Sequence, residues 1–169
     1  HFFRSWFYLH KDFENDYKAL VRDNRLGICA DGTLIWEAGA KRVFLIEPES
    51  GTRIVYKTYT KMHSERYMLF HSSPLANEAA NFALLQSLGL PTAQLLGVGE
   101  TRRCFLISTG FIVTKFAEGF QDGRAFFTDG EYSDRKDLRE EFICRDFQYL
   151  AILHDAGIYH RGFTPFNIL

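Results

Sequence analysis

The sequence predicts an α+β fold in which five strands and one packed helix are followed by a region that begins with a second helix. Three short apolar runs between residues 33 and 60 have the length and the composition of strands. A helical pattern from Leu75 to Leu88 follows them, and two more strand-like runs come after it. The second helical pattern runs from Asp137 to Ala156. This order of elements predicts a sheet domain followed by a helical one.

Length and charge narrow the class of protein. A chain of 169 residues can form a core that buries about 70% of its unfolded surface, which is enough for one or two domains. The net charge of −1 and the pI of about 6.7 give no electrostatic footprint for nucleic acid. We therefore expect no nucleic-acid partner.

The cysteines and apolar runs indicate a cytoplasmic protein. Cys29, Cys104 and Cys144 are widely spaced and form no C-x-x-C, so neither a disulfide framework nor a zinc site is predicted. The apolar runs are too short to span a bilayer, and the start shows no signal-peptide pattern. Because the chain starts at His1 and ends inside an apolar run, we interpret it as a fragment of a longer protein.

The first 32 residues are predicted to form an amphipathic helix and a lead-in. Apolar residues at positions 13, 17, 20 and 21 have helical spacing, and Gly27 would end the helix. An aromatic, amphipathic segment is also compatible with peripheral contact at a membrane surface. Packing on the domain is favoured, because the polar side of this helix is not strongly basic.

Residues 33–116 are predicted to form the sheet domain. The predicted strands are Thr33–Glu37, Arg42–Glu47, Arg53–Tyr59, Gln94–Gly99 and Cys104–Phe116, the last broken near Thr109 and Gly110. The turn that ends at Lys41 and Arg42 contains Gly39 and could close over phosphates, although an ordinary hairpin explains it as well. Residues 117–169 then hold a linker, the helix that Gly157 ends, and a terminal loop.

Lys57 and Glu78 are the first candidates for chemistry. Lys57 lies within an apolar strand, where an ammonium group needs water or an anionic partner. Glu78 lies 21 residues further on, among the alanines of the next helix. A contact between the two would hold Lys57 against the phosphate oxygens of a nucleotide. Each residue alone is more often a solvated surface charge, but the strand-then-helix order favours the functional interpretation.

Two further segments complete the candidate site. The apolar run that ends at Thr114 turns polar, which suits a hinge whose backbone groups pair with an adenine edge, or a strand that simply ends. The terminal segment from His160 to Asn167 matches the kinase pattern H-R-D-x-x-x-x-N at three of its four defining positions. There Asn167 offers an oxygen for Mg²⁺, Arg161 a positive charge, and His160 a brace for the loop backbone.

With these segments in this order, the sequence resembles the protein-kinase-like fold, over an almost complete N-lobe and the start of a C-lobe. More narrowly, it resembles the bacterial lipopolysaccharide core kinases that act on 3-deoxy-D-manno-octulosonic acid or heptose. The resemblance is carried by the segments Val55–Lys57, Asn77–Ala80, Leu88–Thr92, Phe111–Thr114 and Leu153–Arg161. It implies an antiparallel five-stranded N-lobe sheet with one packed helix, plus the start of a helical C-lobe.

The resemblance also implies roles for individual residues. Lys57 would hold the α- and β-phosphates of ATP, Glu78 would position Lys57, and Asn167 would bind Mg²⁺. The remaining contacts with ATP would come from Val43, Val55, Thr114, Lys115, Phe116 and Ala117. The acceptor would be a lipopolysaccharide core sugar or another lipid-linked acceptor, phosphorylated at the cytoplasmic face of the inner membrane.

Two departures from the family pattern leave alternatives open. Gly162 stands where the family carries the catalytic aspartate, and the aspartate of D-F-G would lie beyond Leu169. Loss of a general base typically costs about 10²–10⁴-fold in rate. The first hypothesis is an ATP-dependent sugar kinase, and the second is a pseudokinase that binds nucleotide or regulates without transfer. A third is a phosphotransferase of the aminoglycoside or choline type, which Arg161 disfavours because those enzymes usually carry Gly-Asp after the loop histidine.

Overall fold

The computed structural model describes residues 3–20, 32–48, 51–60, 73–103, 106–120, 123–127 and 130–159. They divide into two compact units. The first, called the sheet unit, comprises His1–Ser87 and Pro91–Phe116. The second, called the helical unit, comprises Leu88–Leu90 and Ala117–Leu169. Because the described residues form both an antiparallel sheet and helices, the predicted α+β class is confirmed.

The sheet unit is built on one antiparallel sheet of six strands in the order β1-β5-β6-β4-β3-β2. The strands are β1 (Phe3–Leu9), β2 (Thr33–Ala38), β3 (Lys41–Ile46), β4 (Ile54–Thr60), β5 (Leu95–Arg103) and β6 (Leu106–Lys115). The two central strands, β4 and β6, are rich in β-branched and aromatic residues, which suit a strand that is paired on both sides.

The prediction of five strands was wrong, because the N-terminal segment supplies a sixth. The predicted break near Thr109 and Gly110 was also wrong, since both residues stay paired with β4 within the continuous strand β6. Strand β1 pairs with β5 from Phe3↔Arg103 to Leu9↔Gly97. The helical spacing that we used holds only for α1 (Glu14–Leu20), which a 3-10 turn at Lys11–Phe13 precedes. The aromatic run before it favours a strand, since aromatic side chains pack well on a pleated sheet.

One face of the sheet, which we call the aromatic face, packs against α1 and the 3-10 turn before it. The Phe111 ring lies 5.5 Å from the Tyr17 ring and 5.8 Å from the Tyr56 ring, measured between centroids. The buried residues of this face are Phe13, Tyr17, Ile46, Ile54, Tyr56, Leu96, Phe111 and Val113. Burial of apolar surface on this scale is the main favourable contribution to folding.

The opposite face, which we call the charged face, carries Lys57, Tyr59 and Glu100 beside the helix α2 (Pro74–Ser87). Its apolar part is smaller and consists of Tyr59, Leu75, Val98 and Ile112. Leu75 lies directly over Gly110, where a Cβ atom would overlap the leucine side chain. Glycine at this position therefore lets α2 approach the sheet backbone closely.

The helical unit contains a 3-10 turn at Gly123–Phe126 and the helix α3 (Lys136–Asp155). Phe142 packs 5.0 Å from the Phe126 ring and 6.0 Å from the Phe127 ring, between centroids. Leu153 is buried, whereas Phe147 on the same helix is 66% exposed. Within the described ranges, no helix combines the length and the apolar character needed to cross a membrane.

Candidate functional site

The contact between Lys57 and Glu78 is present on the charged face. The Lys57 Nζ atom donates a hydrogen bond of 2.8 Å to Glu78 Oε1. The lysine comes from the middle of β4, and the glutamate comes from the second turn of α2. Both side chains are about one third exposed, so the pair can be reached from solvent. An ammonium group has three N–H donors, so a carboxylate on one side of it is compatible with an anionic ligand on another.

Tyr59 is a second donor to the same carboxylate. Its hydroxyl donates a hydrogen bond of 2.8 Å to Glu78 Oε2, and the residue is only 3% exposed. Burial, followed by the negative charge of Glu78 and this hydrogen bond, raises the pKa of the Tyr59 hydroxyl above its ordinary value. With one donor on each oxygen, the Glu78 carboxylate is fixed in orientation. Sequence reasoning missed Tyr59, although a residue two positions after Lys57 on a strand lies on the same face.

Three of the predicted nucleotide-binding residues share this face with Lys57. Val43 on β3 pairs directly with Lys57, and Val55 precedes Lys57 by two residues on β4. Thr114 on β6 pairs directly with Val55. Directly paired residues and residues two apart point to the same side of a sheet. All three are partly buried, so they form an accessible, mainly apolar surface beside the ammonium group.

Lys115 differs from these three, because its side chain lies on the aromatic face. It pairs with Ile54, and both residues line a small pocket of about 180 Å³ together with Asp12 and Asp16. The backbone N–H of Lys115 donates to Gln94 O at 2.9 Å. The sheet ladder thus continues through a position that we predicted for an adenine contact.

Phe116 and Ala117, the other two predicted hinge positions, lie where the sheet unit ends and the helical unit begins. The backbone N–H of Phe116 donates to Arg53 O at 2.9 Å, and its ring lies 4.5 Å below the Arg53 guanidinium. An adenine acceptor could therefore bind the N–H of Lys115 or Phe116 only if an existing backbone hydrogen bond were exchanged. The adenine role of this segment stays a prediction.

The predicted catalytic loop lies outside the described residues. His160, Arg161, Gly162 and Asn167 all belong to the final ten residues, 160–169. Their roles, including the Mg²⁺ ligand at Asn167, stay predictions. In the described part of the chain, no group of three or more His, Cys, Asp or Glu residues could hold a metal ion.

Glu100 anchors the N-terminal end of α2 to the sheet through hydrogen bonds. It is fully buried, and its carboxylate accepts hydrogen bonds from Arg102 Nε at 2.5 Å and from the hydroxyl of Ser73. Ser73 in turn caps α2, since its Oγ atom lies 3.3 Å from the Ala76 N–H and Pro74 is the first helical residue.

This network links the sheet to the helix that carries Glu78. Glu78 lies one turn beyond the cap, so the position of Ser73 influences where the Glu78 carboxylate lies. Sequence reasoning missed the network because the fourth predicted strand ended at Gly99, one residue before Glu100. A charged residue inside the glycine-rich run Gly97–Arg102 was the available signal, since an ionised side chain in a strand that is paired on both sides needs partners.

Comparisons with known proteins identify no relative. No protein-family model, no curated protein and no solved structure matches this chain. Function is therefore inferred from the geometry of the charged face and from the sequence of the terminal loop.

Proposed function

We propose that the charged face binds the phosphates of ATP with Mg²⁺, and that the protein is an ATP-dependent phosphotransferase of the protein-kinase-like type. The observation that carries this proposal is the ion pair of 2.8 Å between Lys57 and Glu78. The acceptor that we propose is a sugar of the lipopolysaccharide inner core, either 3-deoxy-D-manno-octulosonic acid or heptose.

Stability alone does not explain the ion pair. Partly exposed ion pairs contribute only about 0–1 kcal/mol to folding, and a well-packed apolar pair often stabilises a fold as well. Here Lys57 belongs to the third predicted strand of the sheet domain, and the Tyr59 hydroxyl fixes the carboxylate of Glu78. An ammonium group that is already held in a fixed orientation can stabilise phosphate charge without first rearranging. Phosphoryl transfer depends on such preorganised electrostatic stabilisation.

The surface beside the pair also supports a nucleotide. Val43 and Val55 present partly buried apolar side chains on the same face, which suits the flat surface of a base or the ribose edge. Ligand sites commonly combine such an apolar surface with a few fixed polar groups. The Mg²⁺ ion would neutralise phosphate charge, and Asn167 is the residue that we propose to hold it.

Calorimetric titration with ATP and Mg²⁺ tests the binding step. We expect Lys57→Met and Glu78→Gln to weaken ATP affinity by about 10–100-fold, because each removes a charge-assisted hydrogen bond or the group that orients it. The matched control is Lys18→Met, since Lys18 forms an exposed pair of 3.0 Å with Glu14 on α1. Equal ATP affinity in wild type and Lys57→Met would overturn the proposal.

A transfer assay tests the acceptor. The protein would be incubated with γ-labelled ATP, Mg²⁺ and deacylated lipopolysaccharide core oligosaccharide, and labelled phosphosugar would be counted. We expect label on the core sugar that Lys57→Met abolishes. ATP binding without transfer to any core sugar would reject this acceptor class while leaving the nucleotide site in place.

The second candidate is a nucleotide-binding module without transfer activity, and Gly162 favours it. Glycine offers no group to orient or deprotonate an acceptor hydroxyl. The variant Gly162→Asp separates the two candidates in the same transfer assay. Activity that appears only in the variant supports the inactive module, whereas activity in the wild type rejects it.

A further inference from the structure

A second lysine lies beside Lys57 on the charged face. Lys41 is the first residue of β3 and pairs directly with Tyr59 on β4. Its Nζ atom lies 5.6 Å from the centroid of the Tyr59 ring, and the Nζ atom of Lys57 lies 5.3 Å from the same centroid. The two ammonium nitrogens are therefore no further apart than these two distances combined.

The turn before Lys41 fixes its position. β2 and β3 form a hairpin through the two residues Gly39 and Ala40, and Gly39 has a φ of 58°, which glycine adopts readily. The backbone is anchored further by a hydrogen bond of 2.8 Å from the Thr60 N–H to Ala40 O. Lys41 is thus held at the end of a regular strand, on the same side of the sheet as Lys57.

The charges of this cluster do not balance. At neutral pH Lys41 and Lys57 are cationic, Glu78 is anionic, and Tyr59 is neutral, as an ordinary tyrosine is. A net positive charge remains next to a partly exposed surface. Two ammonium groups at this range repel each other, and an anion between them converts the repulsion into two attractions.

We propose that Lys41 is a second phosphate-contacting residue, and that together with Lys57 it selects ligands that carry more than one phosphate group. This inference rests on the proposed function, because it extends the same nucleotide site. The chemical class that it selects is a nucleoside diphosphate or triphosphate, in preference to a monophosphate. A single phosphate can be held by one lysine, whereas a polyphosphate chain can engage both.

The neighbouring residue Arg42 supplies a matched control. It follows Lys41 directly, but it pairs with Thr58 and so points to the opposite side of the sheet. Its guanidinium group forms a hydrogen bond of 2.7 Å with Glu37. The variants Lys41→Met and Arg42→Met therefore remove the same formal charge from adjacent positions on opposite faces.

The experiment measures the affinities of ATP, ADP and AMP with Mg²⁺ for wild type, Lys41→Met, Arg42→Met and Lys57→Met. We expect Lys41→Met to weaken ATP by about 3–10-fold, because Lys41 is more exposed than Lys57. AMP should be almost unaffected by Lys41→Met, and Arg42→Met should match the wild type. Thermal unfolding of each variant verifies that the fold is retained.

Other outcomes separate the two claims. If Lys57→Met loses ATP but Lys41→Met binds it as the wild type does, the inference is overturned and the proposed function stands. An equal loss in Arg42→Met, or an equal loss of AMP and ATP in Lys41→Met, also overturns the inference, since general charge or the first phosphate alone would explain it. If the wild type binds none of the three nucleotides, both claims are rejected.

Discussion

The two faces of the sheet are held to their helices by different means. The aromatic face meets α1 through stacked rings around Phe111, all of them apolar or buried. The charged face meets α2 through Leu75 and through the polar contacts of Lys57, Tyr59 and Glu100. Apolar packing is strong but weakly directional, whereas hydrogen bonds fix orientation at a small net gain. The aromatic face therefore supplies stability, and the charged face supplies geometry.

The largest effect on stability should come from the aromatic face. Phe111 is fully buried and packs against two rings, so Phe111→Ala should lower the free energy of unfolding by about 3–5 kcal/mol. The ATP affinity of the molecules that remain folded should not change. Denaturant titration and calorimetry measure the two quantities. Phe147→Ala is the control, because this ring is 66% exposed and should cost less than about 0.5 kcal/mol.

Next in size is the buried carboxylate of the charged face. Glu100→Ala should cost about 2–4 kcal/mol, since it leaves Arg102 and Ser73 without their partner. Unlike Phe111→Ala, it should also weaken ATP binding, because the cap of α2 loses its anchor. Glu100→Gln, which keeps the shape, should recover part of both losses. If Glu100→Ala changed stability but not ATP affinity, the network of Glu100, Ser73 and Arg102 would not position Glu78.

Substitution of one glycine on each face allows the two faces to be compared at a similar loss of stability. A Cβ atom at Gly110 would meet Leu75 of α2, whereas one at Gly99 would come within 2.8 Å of the Phe111 and Phe7 side chains. Overpacking of this kind costs about 1–3 kcal/mol. We expect both Gly110→Ala and Gly99→Ala to lower the melting temperature, and only Gly110→Ala to weaken ATP binding. An equal loss of affinity in both variants would show that general loosening controls the site.

The smallest expected effect on stability is that of removing the Tyr59 hydroxyl. Tyr59→Phe removes one hydrogen bond to Glu78 and should cost about 1 kcal/mol. Because the folded-state pKa of Tyr59 lies above the ordinary tyrosine value of about 10, its contribution is complete below that pH and is lost as the pH rises beyond it. The stability advantage of the wild type over Tyr59→Phe should therefore shrink in alkaline unfolding curves. An advantage that grows with pH would contradict this assignment.

Local patterns predicted most of the fold. The strands β2, β3 and β4 and the helices α2 and α3 lie within a few residues of their predicted bounds, since hydrophobic period and turn residues mark them directly. The strand β1 was missed although its aromatic run suits a strand, because its partners on β5 lie 88 to 100 positions further along the chain and no local pattern records that pairing.

The candidate site was predictable only in part for the same reason. Strand-then-helix order was enough to suggest the contact between Lys57 and Glu78. The sides on which Val43, Thr114 and Lys115 lie depend on strand register, and a shift of one residue reverses the side. Of the two partners of Glu100, Arg102 lies two residues away, whereas Ser73 belongs to a helix cap 27 residues earlier in the chain.

Methyl resonances test the central claim most directly, because the two faces carry methyl groups on the same strands. Val43 and Val55 point to the charged face, whereas Ile46 and Ile54, on the same two strands, point to the aromatic face. In a protein with labelled valine and isoleucine methyl groups, addition of ATP and Mg²⁺ should shift the Val43 and Val55 signals. The Ile46 and Ile54 signals should stay in place, and Lys57→Met should abolish the valine shifts. Shifts confined to Ile46 and Ile54, or no shift at any of the four residues, would contradict a nucleotide site on the charged face.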